Sequence, residues 1–291
     1  MTTFKSILAA TDFSDDARRA VDRAASLAVE QGGELELLHV MSGPSLKSLR
    51  ELFQLMPDAE AKLVEDAQAT LNELASTARL LTGTGVAATV KVGHVLDEIL
   101  AASRQRELLV LGGKGSNPLR DLILGTTAER LLNKCRQPVL VVKQARRGPY
   151  QRVLVPVDFS PHSAIALARA IAIAPTAEIT LVHAFEALFE GKLWLAGVSD
   201  DDLRRYRNQA RQKALASIDA MIQGCGRDSD RIYRTVERGS PAPVILAKEA
   251  EFDADLIVVG KHGQLLAEEL LLGSVTRHVL ADSKCDVLVV Q

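Results

Sequence analysis

Cysteine is scarce in this chain, and charge of one sign is not in excess. Cys135, Cys225 and Cys285 are an odd set with no C-x-x-C spacing and no histidines at zinc-ligand distance, so they read as core or surface thiols and no metal site is expected. The 35 basic and 37 acidic residues leave a net charge of -2, so no basic field exists to condense the chain onto DNA or an anionic membrane. The first residues, MTTFKSILAATDFS, lack the apolar core and cleavage site of a signal peptide. No apolar run reaches the roughly 18 residues that a membrane helix needs. A cytoplasmic protein with neither nucleic acid nor membrane as partner is therefore expected.

What the chain has is a repeat. With 291 residues, 47% of them hydrophobic and 25% charged, it is long enough for two globular cores. ELLVLGGKGSNPLRDLILGTTAERLLNKCRQPVLVVK, from Glu107, lies without gaps on DLIVVGKHGQLLAEELLLGSVTRHVLADSKCDVLVVQ, from Asp255. ILAATDFS from Ile7 matches VLVPVDFS from Val153, and LELLHV from Leu35 matches ITLVHA from Ile179. Register drifts by only a few residues, so a whole domain is duplicated, far longer than a solenoid repeat. The joint falls at the polar stretch Ala145-Arg146-Arg147-Gly148-Pro149, giving domains 1–146 and 149–291.

Within each half, short apolar runs alternate with helical patterns, the order of a parallel α/β sheet covered on both faces. In the first half the strands are predicted at 6–10, 35–40, 86–92, 108–111 and 139–142. Ser14, and Ser160 followed by Pro161, are expected N-caps of the helix after the first strand. Ala17, Val21, Ala24, Leu27 and Ala28 form its apolar face.

Ligands of open α/β sheets bind beyond the carboxyl ends of the strands, where strand order reverses. Two places qualify in each half: Thr11-Asp12 and Pro156-Val157-Asp158 after the first strand, and the glycine loop after the fourth. That loop reads G-x2-G-x9-G-[ST] twice, as Gly112, Gly115, Gly125, Thr126 and as Gly260, Gly263, Gly273, Ser274. Glycines at positive φ would let backbone N–H groups converge on phosphate oxygens, and the Gly-[ST] pair opens a helix whose N-terminus favours an anion. Lys114, Thr127, His262 and Val275 flank these positions. Neither a P-loop, with its Gly-Lys-[ST] ending, nor a G-x-G-x-x-G turn after the first strand is present. A merely structural turn is the competing reading. Thr126-x-x-Glu129 also reads as a capping box, which would engage the Thr126 hydroxyl in the helix start. Asp12 and Asp158 could be plain helix-start acids, and His39 and His183 read as structural histidines.

The Asp-Phe-Ser ending of the first strand, the His-Val or His-Ala ending of the second, the glycine pattern and the closing PVLVV or DVLVV strand together resemble the universal stress protein family of the UspA type, end to end in both halves. The resemblance implies two doubly wound five-stranded parallel domains of the adenine nucleotide alpha hydrolase-like fold. It implies strand order 3-2-1-4-5 and a last strand that pairs domains, within one chain or in a homodimer. In the family's ATP-binding branch, Asp12 and Asp158 would lie at the ribose and adenine, Val40 and Ala184 would meet adenine through their backbone, and the glycine loops would hold the phosphates. ATP, ADP or AMP, with magnesium, is the implied ligand, and a stress-response regulator with at most slow hydrolysis the implied function.

The first half is the better phosphate site on sequence, since 116–121 is polar whereas 264–269 places Glu268 and Glu269 beside the loop. Two alternatives stand beside it: a chaperone-like interaction module without nucleotide, and a second domain that takes an apolar ligand near 188–195, which holds Trp194. The leucine-rich 46–56 is a candidate lid or a packed helix.

Overall fold

The computed structural model describes residues 4–53, 57–83, 85–113, 125–145, 148–185, 198–225, 229–263 and 272–291. The chain divides into two compact units, Met1–Pro149 with Asp286–Val289 and Gln291, and Tyr150–Cys285 with Val290.

The first unit runs β1 (Ser6–Ala10), α1 (Asp15–Gln31), β2 (Glu34–Ser42), α2 (Gly43–Phe53), α3 (Pro57–Thr82), β3 (Val86–Gly93), α4 (Val95–Ser103), β4 (Leu108–Gly112), α5 (Thr126–Lys134) and β5 (Val139–Val142). All its β1 to β5 pairings are parallel and give the order β3-β2-β1-β4-β5. The four residues of β5 and the first four of β4 are fully buried, which is why these strands read as unbroken apolar runs. Each predicted strand is present, β2, β3 and β4 extending slightly further.

Local signals set the helix ends. The Ser14 side chain accepts from Ala17 N–H, Asp15 and Asp16 occupy the first turn of α1, and Gly32 closes it in the left-handed conformation at φ 60°. The predicted face of α1 is buried throughout. The leucine-rich 46–56 proves helical in its described part, with Leu46 buried.

The second unit repeats the plan as β6 (Arg152–Pro156), α6 (Pro161–Ile173), β7 (Glu178–Phe185), α7 (Asp200–Gly224), β8 (Ile232–Arg238), α8 (Pro241–Phe252), β9 (Leu256–Gly260) and α9 (Ser274–Asp282). Its parallel order is β9-β6-β7-β8. The last strand, β10 (Asp286–Val290), lies antiparallel to β5, and all but its final residue groups with the first unit. Leu288 faces Leu140, its own counterpart in the repeat.

Because β1 is flanked by β2 on one side and β4 on the other, strand order reverses at β1. The crevice beyond its end therefore brings Thr11 and Asp12 beside Gly112.

Candidate functional site

The site begins where β1 leaves the sheet. Thr11 N–H still donates to Leu38 O at 2.9 Å, one step past the end of the strand. In an unbroken parallel ladder the Thr11 carbonyl would next accept the Val40 N–H. It accepts His39 Nδ1 instead, at 2.8 Å. Since a carbonyl can only accept, Nδ1 carries the proton. The next N–H of the departing chain, that of Phe13, turns back to Thr11 Oγ1 at 3.1 Å. Ladder parity thus aims the N–H and C=O of Val40 at the side that β1 has vacated.

Phe13 makes this departure with φ 65°, a left-handed conformation rare for a bulky residue, which costs on the order of 1–3 kcal/mol. Its ring stacks on His39, centroids 4.2 Å apart at 29°. The Asp12 carboxylate is held by Ser14, whose N–H and hydroxyl donate to Oδ1 at 3.1 and 2.5 Å. The second unit copies the arrangement. Val157 O accepts His183 Nδ1 at 2.8 Å, and Phe159, at φ 63°, packs on His183 at 4.5 Å.

The two units differ at the aspartate. Asp158 Oδ1 accepts from Ser160 N–H at 3.0 Å and from the Ser163 hydroxyl at 2.7 Å, where the first unit has Ala17 in place of a serine. Ser160 stands at the predicted N-cap of α6, but its hydroxyl makes no capping bond. That oxygen is buried and finds no partner among the described residues, at a cost of about 1–3 kcal/mol.

The glycine loops correct two sequence expectations. None of the described motif glycines has positive φ. Gly112 is required by packing: a Cβ there would stand 2.8 Å from the Asp16 carbonyl carbon and 2.9 Å from Ala17 N, so the end of β4 rests against the start of α1. At Gly260 the same Cβ would meet His162 Cβ at 2.9 Å. The capping box at Thr126 is also not formed, because the helix starts one residue earlier than that box requires. Gly125 is the N-cap of α5, its N–H closes the loop on Gly113 O at 3.0 Å, and Thr126 and Thr127 are exposed in the first turn. Gly273 plays the same part for α9, with its N–H on Lys261 O at 2.9 Å. Ser274 is exposed and Val275 half-buried there. Among the described residues no side chain caps α5 or α9, and the positive end of each helix dipole lies at that start.

Gly263 brings the second loop onto the aspartate, since a Cβ there would fall 2.7 Å from Asp158 Oδ2. His262 and His162 approach edge to face, centroids 5.9 Å apart. Of the predicted residues, the structure brings Thr11, Asp12, Val40, Gly112 and Gly125 to the crevice of the first unit. Pro156, Val157, Asp158, Ala184, Gly260, His262, Gly263 and Gly273 stand at the equivalent strand and loop ends of the second. Lys114 and Gly115 lie outside the described residues, as do 116–121, 264–269 and 188–195 with Trp194. What sequence reasoning missed is Phe13 and Phe159; the only signal for them was their recurrence between Asp and Ser at both strand ends.

Cys135 and Cys285 are buried and Cys225 half-buried. Among the described residues no three His, Cys, Asp or Glu side chains are grouped to hold a metal ion, and no helix is long and apolar enough to cross a membrane. A cavity of about 660 Å³ lies at the opposite end of the sheet, lined by Glu34, Glu36, Arg79 and Arg106 among others. Its cations are engaged, Arg79 with Val86 O and Arg106 with Glu36.

Comparison with known proteins agrees across both units. The sequence profile of the universal stress protein family matches residues 3–143 and again 149–291. A universal stress protein of Mycolicibacterium smegmatis is 26% identical over 293 residues, covering 98% of this chain and 96% of its own. A universal stress protein E homolog of Haemophilus influenzae is 25% identical, with 98% and 96% covered. The crystal structure of a universal stress protein from Archaeoglobus fulgidus superposes with a TM-score of 0.72 over 100% of this chain and 99% of that one, at 22% identity, a likeness of fold.

Proposed function

The chain belongs to the universal stress protein family, and from that premise we propose that its first repeat binds an adenine nucleotide, as a cytoplasmic regulator of the stress response. One observation carries the reading: His39 Nδ1 takes the Thr11 carbonyl and the Phe13 N–H turns back to Thr11 Oγ1, so ladder parity aims the N–H and C=O of Val40 at the crevice. One residue's donor and acceptor side by side match the adjacent acceptor and donor on the edge of adenine, N1 and the 6-amino group. Gly112 and the uncapped start of α5 stand at the same crevice, where the N–H groups of Thr126, Thr127 and Ala128 suit an anion. Asp12, just past the end of β1, would meet the ribose. These residues fit ATP, ADP or AMP, and magnesium would arrive on the phosphates. The sequence offers no arginine finger and no dedicated base, so binding, which stabilises the loop and changes association with partners, is the function, and hydrolysis is slow.

A specific observation also favours the second repeat. At the helix-start residue that packs on this glycine the first unit has Asp16, which meets Gly112 through its backbone and whose carboxylate pairs with Arg19 at 2.8 Å, whereas the second has His162, next to His262. The described residues there are kinder to phosphate than the glutamates of 264–269 suggest.

Isothermal titration of the full chain with ATP, ADP and AMP tests both. Asp12→Ala is expected to weaken binding at the first repeat about tenfold, and His162→Asp to weaken only the second. Wild-type protein that gives neither binding heat nor a thermal shift with any of the three would sink the nucleotide reading and leave the interaction-module alternative.

A further inference from the structure

The strand ends of the two repeats share a device that the ligand-contacting residues do not account for. In both, an aromatic residue is held at positive φ, at 65° and 63°, directly after the aspartate. In both, its ring covers the histidine of the neighbouring strand, and that histidine's Nδ1 donates at 2.8 Å to the carbonyl just before the aspartate. A strained backbone kept at two sites 146 residues apart, Phe13 and Phe159, needs a compensating gain in each. The visible gain is the stack and the hydrogen bond beneath it.

We propose that Phe13 with His39, and Phe159 with His183, are positioning residues of the base-binding edge. The imidazole takes over the carbonyl that would otherwise accept the N–H of Val40 or Ala184. That carbonyl stays satisfied, β1 or β6 can leave the sheet, and the backbone of the following residue is free to face a base. The phenyl ring, placed by the left-handed turn, fixes the imidazole plane and its Nδ1–H tautomer. His39 and His183 act through the backbone and touch no nucleotide. This assignment rests on the adenine-nucleotide reading for its purpose, while the geometry of the device stands apart from it.

The experiment uses the full chain with Phe13→Gly, which relaxes the positive φ and removes the ring, and Phe13→Tyr, which keeps the ring. ATP affinity, melting temperature and the ¹⁵N spectrum of the histidine side chains are measured together, with the His39 signals assigned from a His39→Gln variant. Phe13→Gly is expected to lose about tenfold or more in affinity at the first repeat with no fall in melting temperature, while its His39 signals move away from a single Nδ1–H tautomer. Phe13→Tyr is expected to retain both affinity and tautomer. Affinity of Phe13→Gly within twofold of wild type would overturn the proposal. If the wild type binds no adenine nucleotide, the functional reading fails separately and the spectrum decides: unchanged His39 signals in Phe13→Gly overturn the positioning role, and altered ones uphold it.

Discussion

Lys248 on α8 reaches two carboxylates, Glu237 on β8 and Glu251 one turn further along its own helix, each at 2.8 Å. The Lys248 hydrogen bond, helped by Thr235, holds the Glu237 carboxyl below its ordinary value of 4.5, and the Glu237 and Glu251 hydrogen bonds raise Lys248 above 10.5. Glu237, with its pKa depressed in the folded chain, adds stability above the ordinary carboxylate value and loses it as pH falls through the lowered one. Lys248, with its pKa raised, adds stability below the ordinary lysine value and loses it as pH rises through the raised one. The pair therefore supports the fold between these limits. Glu237 keeps 39% of its side chain exposed, so the contribution is below about 1 kcal/mol. Glu237→Gln should melt slightly below wild type near neutral pH, and the two curves should converge as pH falls through the lowered Glu237 value. A gap that persists in acid would locate the effect outside this ion pair.

At the scale of elements, the Ser14 cap and the parallel strands follow from local sequence, but the motif glycines do not mean what their spacing suggests. Gly112 ends β4 against the backbone of α1, so its glycine is imposed by strand-to-helix packing. Gly112→Ala is expected to destabilise the nucleotide-free protein by about 1–3 kcal/mol, because backbone on both sides must move. Urea unfolding without ligand measures this. Unchanged stability with lost ATP binding would restore the anion-cradle meaning of that glycine. The starts of α5 and α9 carry the opposite lesson. Their Gly-[ST] pairs open each helix with no side-chain cap among the described residues, and the spacing alone had pointed at those N-termini.

At the scale of the whole molecule, the last strand is the informative piece. Asp286, at 0% exposure, groups with the first unit. Its Oδ1 accepts the N–H of Lys143 at 2.8 Å and of Gln144 at 3.1 Å. Its Oδ2 stands 3.5 Å from Nε of the buried Arg23, whose Nη1 also donates to Gly148 O at 2.7 Å. A residue five places from the end of the chain thus anchors the segment that follows β5. Removing one partner of a buried pair leaves the other uncompensated, so Asp286→Ala is expected to cost about 3–5 kcal/mol. Hydrogen exchange at the β5 amides should report that loss. Protection there equal to wild type would show that β10 is held by its strand pairing alone.

Sequence by itself determined the duplication, the α/β class and the strands of the first half, and it put Asp12 and the glycine loop at the carboxyl ends of their strands. Each of these rests on local periodicity, on turn chemistry or on one half matching the other, all of which are written along the chain. Only tertiary structure decided that Gly112 serves a helix, that the helix at Thr126 starts one residue early, that Asp158 leans on Ser163, and that β10 sits with the first unit. It alone showed that His39 takes the Thr11 carbonyl under the Phe13 ring and leaves Val40 facing the crevice. Those facts depend on atoms distant in sequence meeting within hydrogen-bond or van der Waals reach, and no spacing in a single chain encodes such a meeting.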